Sequence, residues 1–240
     1  MFEKERHFLK SGWTAGPMSG SDQQKGVPAP PFEDAFDEKK LIVLPDPKSA
    51  ELAKRDIVRI MEERISRRKF SGGPVSLNVL SFLLWACAGV REIRGGRIFR
   101  IVPSGGSRHP FENYFYADKV TGLEPGLYRY IATRNAVLPV SSGKGLKEEL
   151  DRCILDQWRD CAFAAFWVIN AYRGEWRYTD LSQKLAALDA GHICQNAYLA
   201  AEALGIGCCA IGAYLQEIDA VLGIDGNDEF CVYAGIFGPY

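Results

Sequence analysis

Residues 180–214 read DLSQKLAALDAGHICQNAYLAAEALGIGCCAIGAY, and the change of period inside this stretch decides the fold class. Leu181, Leu185, Leu188, Ile193, Ala197 and Ala200 or Ala201 recur at three- and four-residue steps. That spacing predicts one side of a helix that begins at Tyr178 or Asp180 and stops at Gly205. Within three residues the chain becomes short, apolar and glycine-bracketed, and residues 208–211 read as a strand. Working outward, residues 99–102, 113–117, 127–131 and 163–170 read as strands, as do residues 230–237, rich in β-branched and aromatic side chains. Ser76 opens an apolar helix over 77–88, which Gly89 closes in a left-handed conformation. A helix N-capped by Ser49 carries Ala53, Ile57, Ile60, Met61 and Ile65 on one face. Helices and strands are mixed without regular βαβ alternation or an internal repeat, so the fold class is α+β.

The 240 residues divide into an extended, proline-rich arm over 1–48 and a folded domain over 49–240. The arm holds six of the twelve prolines, and its aromatics, Phe2, Phe8, Trp13, Phe32 and Phe36, favour packing on another surface over disorder. A formal charge of -1 makes no electrostatic case for nucleic acid or an anionic membrane. No apolar run approaches the roughly 18–20 residues that span a bilayer, and the first ten residues lack the pattern of a secretory signal. These features predict a cytoplasmic protein. Seven cysteines without a CxxC pair and three scattered histidines support neither a disulfide framework nor a metal site.

Three segments carry chemistry. Arg64-Ile65-Ser66-Arg67-Arg68 puts guanidinium forks and a hydroxyl where a helix gives way to loop, a donor set that suits a phosphate; a solvated basic turn is the alternative. Pro103-Ser104-Gly105-Gly106-Ser107-Arg108-His109-Pro110 follows a strand, and its paired glycines let backbone approach a planar ligand. It is neither a Walker loop nor a dinucleotide fingerprint, and it is equally a plain surface turn. The third, residues 205–214, reads as a strand between glycines that permit close contact with a flat group or merely end a helix and a strand. Cys208 and Cys209 lie in apolar surroundings that argue against a reactive thiol.

In this order the three segments resemble the flavin-binding signature of the nitroreductase family, in its SagB-type branch of azoline oxidase-like dehydrogenases. Phe8-Leu9-Lys10, Ser21-Asp22-Gln23 with Gly26-Val27-Pro28, residues 80–86 (LSFLLWA), Gly126-Leu127-Tyr128-Arg129-Tyr130, and Asp189-Ala190-Gly191-His192 with Gln195-Asn196 extend the resemblance over most of the chain. The resemblance implies a central, mostly antiparallel sheet flanked by helices, in an intertwined homodimer with two FMN sites at the subunit interface. It implies that Arg64, Ser66 and Arg68 hold the FMN phosphate and ribityl chain, with the Ile65 backbone alongside. Pro103, Ser104, Gly105 and Ser107 then lie against the ring, and Ile211 and Gly212 near its N5 edge. The activity implied is ping-pong hydride transfer through N5, with NADH or NADPH as a diffusible donor and a small molecule or modified peptide as substrate. Where the azoline oxidases carry a catalytic Lys-Tyr pair, this chain has Arg177-Tyr178. An arginine cannot act as a general base near neutral pH, which leaves it to orient an anion and leaves Tyr178 to exchange protons or simply to pack. A flavin-binding or peptide-maturation partner without redox turnover is the other reading.

Overall fold

The computed structural model describes residues 20–49 and 56–240. The expectations for Phe2, Phe8, Trp13 and Ala53, and the Phe8-Leu9-Lys10 motif, fall outside them. The described residues build a seven-stranded sheet from β1 (Ile42–Val43), β5 (Phe111–Ala117), β7 (Gly126–Ile131), β8 (Ala136–Ser141), β9 (Phe163–Asn170), β10 (Gly207–Ile211) and β11 (Glu229–Gly238). Its order is β1-β8-β7-β5-β9-β11-β10, and every pairing is antiparallel. Two further pairs stand apart: β2 (Val75–Ser76) with β6 (Val120–Thr121), and β3 (Val90–Arg94) with β4 (Arg97–Arg100).

Period-2 alternation sends the sheet's side chains into two cores. Phe115, Phe163, Trp167 and Phe237 face α2 (Leu77–Ala88) and the 22-residue α5 (Ser182–Ala203). Tyr114, Tyr116, Phe166 and Val168 face α3 (Leu146–Cys153) and α6 (Ile218–Leu222). The α+β layering expected from the sequence is therefore present, with helices on both faces of an antiparallel sheet.

Several boundaries differ from the sequence reading, each for a local reason. The first described helix, α1, is Ile57–Glu63, capped by the Asp56 carboxylate on the Val58 amide, whereas Ser49 ends a 3-10 turn. The strand expected at 99–102 is Arg97–Arg100, because Gly95 and Gly96, both at positive φ, fold it back on β3. Gly89 closes α2 at φ -53, outside the left-handed region; it is required because a Cβ there would meet the Trp85 ring at 2.3 Å. The longest helix begins at Ser182. Before it lies α4 (Ala171–Tyr178), which lacks an apolar stripe legible in sequence, and Thr179 at φ 52 separates the two. Gly174 brings them together: a Cβ there would be 3.1 Å from Ser182 Cβ.

Residues 20–49 are fastened to the domain by charge. Asp34 binds Arg173 (2.6 Å) and lies 3.6 Å from Arg129, Arg173 also meets Glu112 (2.7 Å), and Glu33 accepts hydrogen bonds from Thr133. Arg173 and Glu112 are almost wholly buried. Buried charges of this kind survive only when matched, and here the match fixes α4. Trp176 donates to the Val27 carbonyl, and Tyr172 to Asp22, on the same strap. No described helix is long and apolar enough to cross a membrane.

Candidate active site

The segment after α1 runs along the outer edge of β10, where the Arg67 amide donates to the Cys208 carbonyl (3.0 Å). Its three arginines have different fates. Arg67 pairs with Glu202, one of the most buried carboxylates, and stacks on Tyr240 with its guanidinium carbon 4.1 Å from the ring centre. Arg64 lies over the Tyr198 ring (5.2 Å), and exposed Arg68 makes a long contact to the Ser66 carbonyl (3.5 Å). Neither has a carboxylate partner among the described residues. Tyr198 ties the segment to the third motif: its hydroxyl accepts from the Ala210 amide (2.8 Å) and lies 2.9 Å from Ser66 Oγ. When Tyr198 donates its proton to Ser66, the Ser66 hydroxyl keeps its own for a ligand. Burial raises the Tyr198 pKa, so the hydroxyl stays protonated at neutral pH. Sequence reading missed this tyrosine, though it lies on α5 within the stretch that decided the fold.

In the third motif, Ile211 is buried at the end of β10 and Gly212 is exposed just beyond it, where a Cβ would lie 3.6 Å from the Tyr233 ring. Cys208 and Cys209 are both buried, and burial pushes the Cys208 thiol far above its ordinary pKa, as an inert core position requires.

The Pro103–Ser107 loop is built on the other end of α5. Asp189 accepts from Ser104 Oγ (2.5 Å) and from the Gly105 amide (3.2 Å), while Ser104 Oγ accepts from the His109 amide (2.9 Å). Burial raises the Asp189 pKa, against the hydrogen bonds from Ser104 and Gly105 that favour its charge. Gly106 takes φ 56 with Tyr178 directly against it: a Cβ would fall 2.3 Å from the Tyr178 hydroxyl and 3.1 Å from Arg177 Nε. The structure thus brings Arg177-Tyr178 to this loop from the C-terminal end of α4. Thr179, a β-branched residue held at positive φ, follows immediately; strain of this kind collects at functional sites. His109, buried beside Arg100 and Arg108, has its pKa lowered to about 3, first by burial and then by those charges, and so is neutral.

The first and third motifs therefore meet, and the second meets Arg177-Tyr178, but the two groups do not meet within one chain. Asp189 and Tyr198 are nine residues apart on α5; at about 100° per residue they face opposite ways.

An antiparallel sheet with helical layers on both faces is the fold of the flavin-type oxidoreductases that the chain matches. The nitroreductase family model matches residues 61–238, and the chain belongs to the nitroreductase family. A Methanocaldococcus jannaschii protein provisionally named a nitroreductase is 33% identical over 168 residues, 69% of this chain and 83% of its own length. The trifolitoxin-processing protein TfxB of Rhizobium leguminosarum bv. trifolii is 30% identical over 143 residues, 55% of this chain; the match spans 38% of that longer protein. The fold is also that of a chain in the E. coli microcin synthetase McbBCD complex, solved with truncated pro-MccB17 bound: TM-score 0.65, 17% identity, covering 98% of this chain and 86% of that one.

Proposed function

We propose that the protein is a cytoplasmic, homodimeric, FMN-dependent oxidoreductase of the SagB type that acts on a modified, azoline-bearing peptide. The observation that carries the cofactor is the unequal use of three neighbouring arginines. Arg67 is neutralised by Glu202, whereas Arg64 and Arg68 keep their donors beside the Ser66 hydroxyl. Two uncommitted guanidinium groups and a hydroxyl are the chemistry a phosphate demands. When bound, FMN would accept hydride at N5 from the azoline ring, which becomes an azole, and would then pass the electron pair to oxygen or another diffusible acceptor, in ping-pong order. In this reading Arg64 and Arg68 hold the phosphate, Ser66 and the Ile65 backbone the ribityl chain, and Ile211 and Gly212 flank the ring. Pro103, Ser104, Gly105 and Ser107 come from the second subunit.

The half-turn between Asp189 and Tyr198 supports a second subunit: in this reading one flavin touches both groups, and a single α5 presents them on opposite sides. Leu188, half-exposed, and Gly191, with nothing near its Cβ position, lie on the open side of that helix and suit a close helix contact. The arm over 1–48 then lies along the paired domains. Tyr178 holds or releases a proton beside Gly106, and Arg177, permanently charged, orients the substrate. A modified peptide is favoured over a nitro- or quinone-type small molecule because the Rhizobium relative is a trifolitoxin-processing protein and a fold neighbour is a microcin synthetase complex with truncated pro-MccB17 bound. Arginine in place of the lysine of the azoline oxidases favours a second reading, a flavin-binding peptide-maturation partner without turnover. The test is to purify the protein, identify any released chromophore, and follow anaerobic bleaching by an azoline-bearing peptide, NADH and NADPH. FMN that bleaches and reoxidises with parallel reciprocal plots supports the enzyme. FMN that no donor bleaches supports the partner, and a colourless protein that FMN does not stabilise overturns both.

A further inference from the structure

Beside the Pro103–Ser107 loop lies a groove of about 280 Å³ lined by Arg91, Phe99, Val102, Ser104, Ser107 and His109. Arg91 and Arg100 line it, and Arg108 lies in the chain between its lining residues Ser107 and His109. On the β3–β4 hairpin Arg94 and Arg97 are paired directly across the strands, an arrangement that like charges destabilise. Glu92 lies 3.6 Å from Arg94, and Arg97 and Arg91 have no ion-pair partner among the described residues. Arg108 stacks on Trp176 (4.6 Å), and its Nε donates to the Arg173 carbonyl (2.8 Å). The two contacts fix its plane and leave both terminal nitrogens without a hydrogen bond among the described residues. Arg177 packs on Gly106 with its Nε buried and unpartnered. The pKa of Arg108 is lowered by burial and then by the charges of Arg177, Arg97 and Arg173, so these groups feel one another.

The carboxylates on the surrounding elements are committed elsewhere. Asp189 holds Ser104 and Gly105, Glu175 accepts from Gln183, and Asp34 and Glu112 hold Arg173. A protein that keeps unmatched, mutually repelling and partly pre-oriented arginines beside a groove sacrifices stability for a ligand that matches them. Planar forks select planar oxyanions.

We propose that this groove binds carboxylate groups of the substrate, with Arg91, Arg97, Arg108 and Arg177 as the donors. The proposal rests on the active-site reading above and narrows its substrate to one carrying acidic groups near the reacting centre. The source of those groups is an acidic peptide segment or a small polycarboxylate.

Calorimetric titration of the purified protein, with FMN in excess, distinguishes them, using hexaglutamate, isophthalate and hexalysine as probes at low and physiological salt. At least one anionic probe binds, binding weakens with salt, and hexalysine is silent. Arg91→Gln/Arg97→Gln weakens anion binding by about tenfold or more while its melting temperature and flavin spectrum match the parent. Binding of hexaglutamate alone assigns the groove to a peptide, and binding of isophthalate assigns it to a small polycarboxylate. Failure of both anionic probes, or unchanged binding in the double variant, overturns the inference even if the protein is yellow and active. A colourless protein that binds the probes overturns the flavin reading and leaves the groove standing.

Discussion

On one side of α5 Glu202 draws in Arg67 and leaves Arg64 and Arg68 without a carboxylate; on the other Asp189 draws in the Ser104 hydroxyl and the Gly105 amide, and Arg108 and Arg177 are left without one. Each side has one buried acid that takes part of the local donors for architecture. The remainder are the groups that the proposed ligands would meet. The difference lies in what the acid takes. On the first side it removes a charge from a set of three and leaves two forks beside a hydroxyl. On the second it removes neutral donors, setting a loop in place and leaving the arginines to act on whatever enters. Residue type alone does not separate an arginine committed to a carboxylate from one that is not; the position of the nearest buried carboxylate does.

The contrast can be broken most severely at Glu202. Glu202→Gln leaves Arg67 largely buried without its counter-charge and costs about 4 kcal/mol. Thermal unfolding should show a melting temperature lower by roughly 8–16 °C. A change near zero would mean that Arg67 is as free as its neighbours and would erase the distinction.

On the second side the loop's packing is readable as a pH dependence. His109 is 6% exposed and has its folded pKa lowered to about 3 from 6.5. Below pH 6.5 the unfolded chain takes up a proton that the folded chain refuses, so this histidine's contribution falls as pH falls from 6.5 towards 3. Between pH 6.5 and 4.5 the loss is about 2 kcal/mol. His109→Asn, which tolerates the φ of 46 held by His109, should remove that share of the acid sensitivity in denaturant titrations at both pH values. Equal slopes in parent and variant would show that the loop admits water and charge freely.

A smaller effect is expected at Asp189. Asp189→Asn can accept from only one of Ser104 and Gly105 through a single carbonyl oxygen, at a cost of about 1–2 kcal/mol, while amide exchange at Gly105 quickens. If exchange at Gly105 is unaltered, Asp189 does not set the loop.

Much of this organisation was legible in the sequence where one physical rule acted alone. β9 matched its apolar run residue for residue, and α2 lay where Ser76 and Gly89 placed it. α4 was hidden because its sequence, AYRGEWRY, carries no apolar stripe; it is held by the strap through Trp176 and Asp34 and by the Gly174 crossing. Leu188, placed on the buried side by its spacing, is half-exposed, because periodicity records a face and not what covers it. The three motifs were visible as composition. Their division between opposite sides of α5 was not, since helical phase becomes informative only when the partners of Asp189 and Tyr198 are known.

The central claim is that Arg64 and Arg68 answer a phosphate, and a pair of ligands differing in that group tests it directly. FMN and riboflavin share the ring and ribityl chain. Fluorescence titration of the parent and of Arg68→Ala with each flavin should show the FMN dissociation constant rising by about tenfold or more, with riboflavin unchanged. Equal losses for both flavins, or no loss for FMN, would contradict the account.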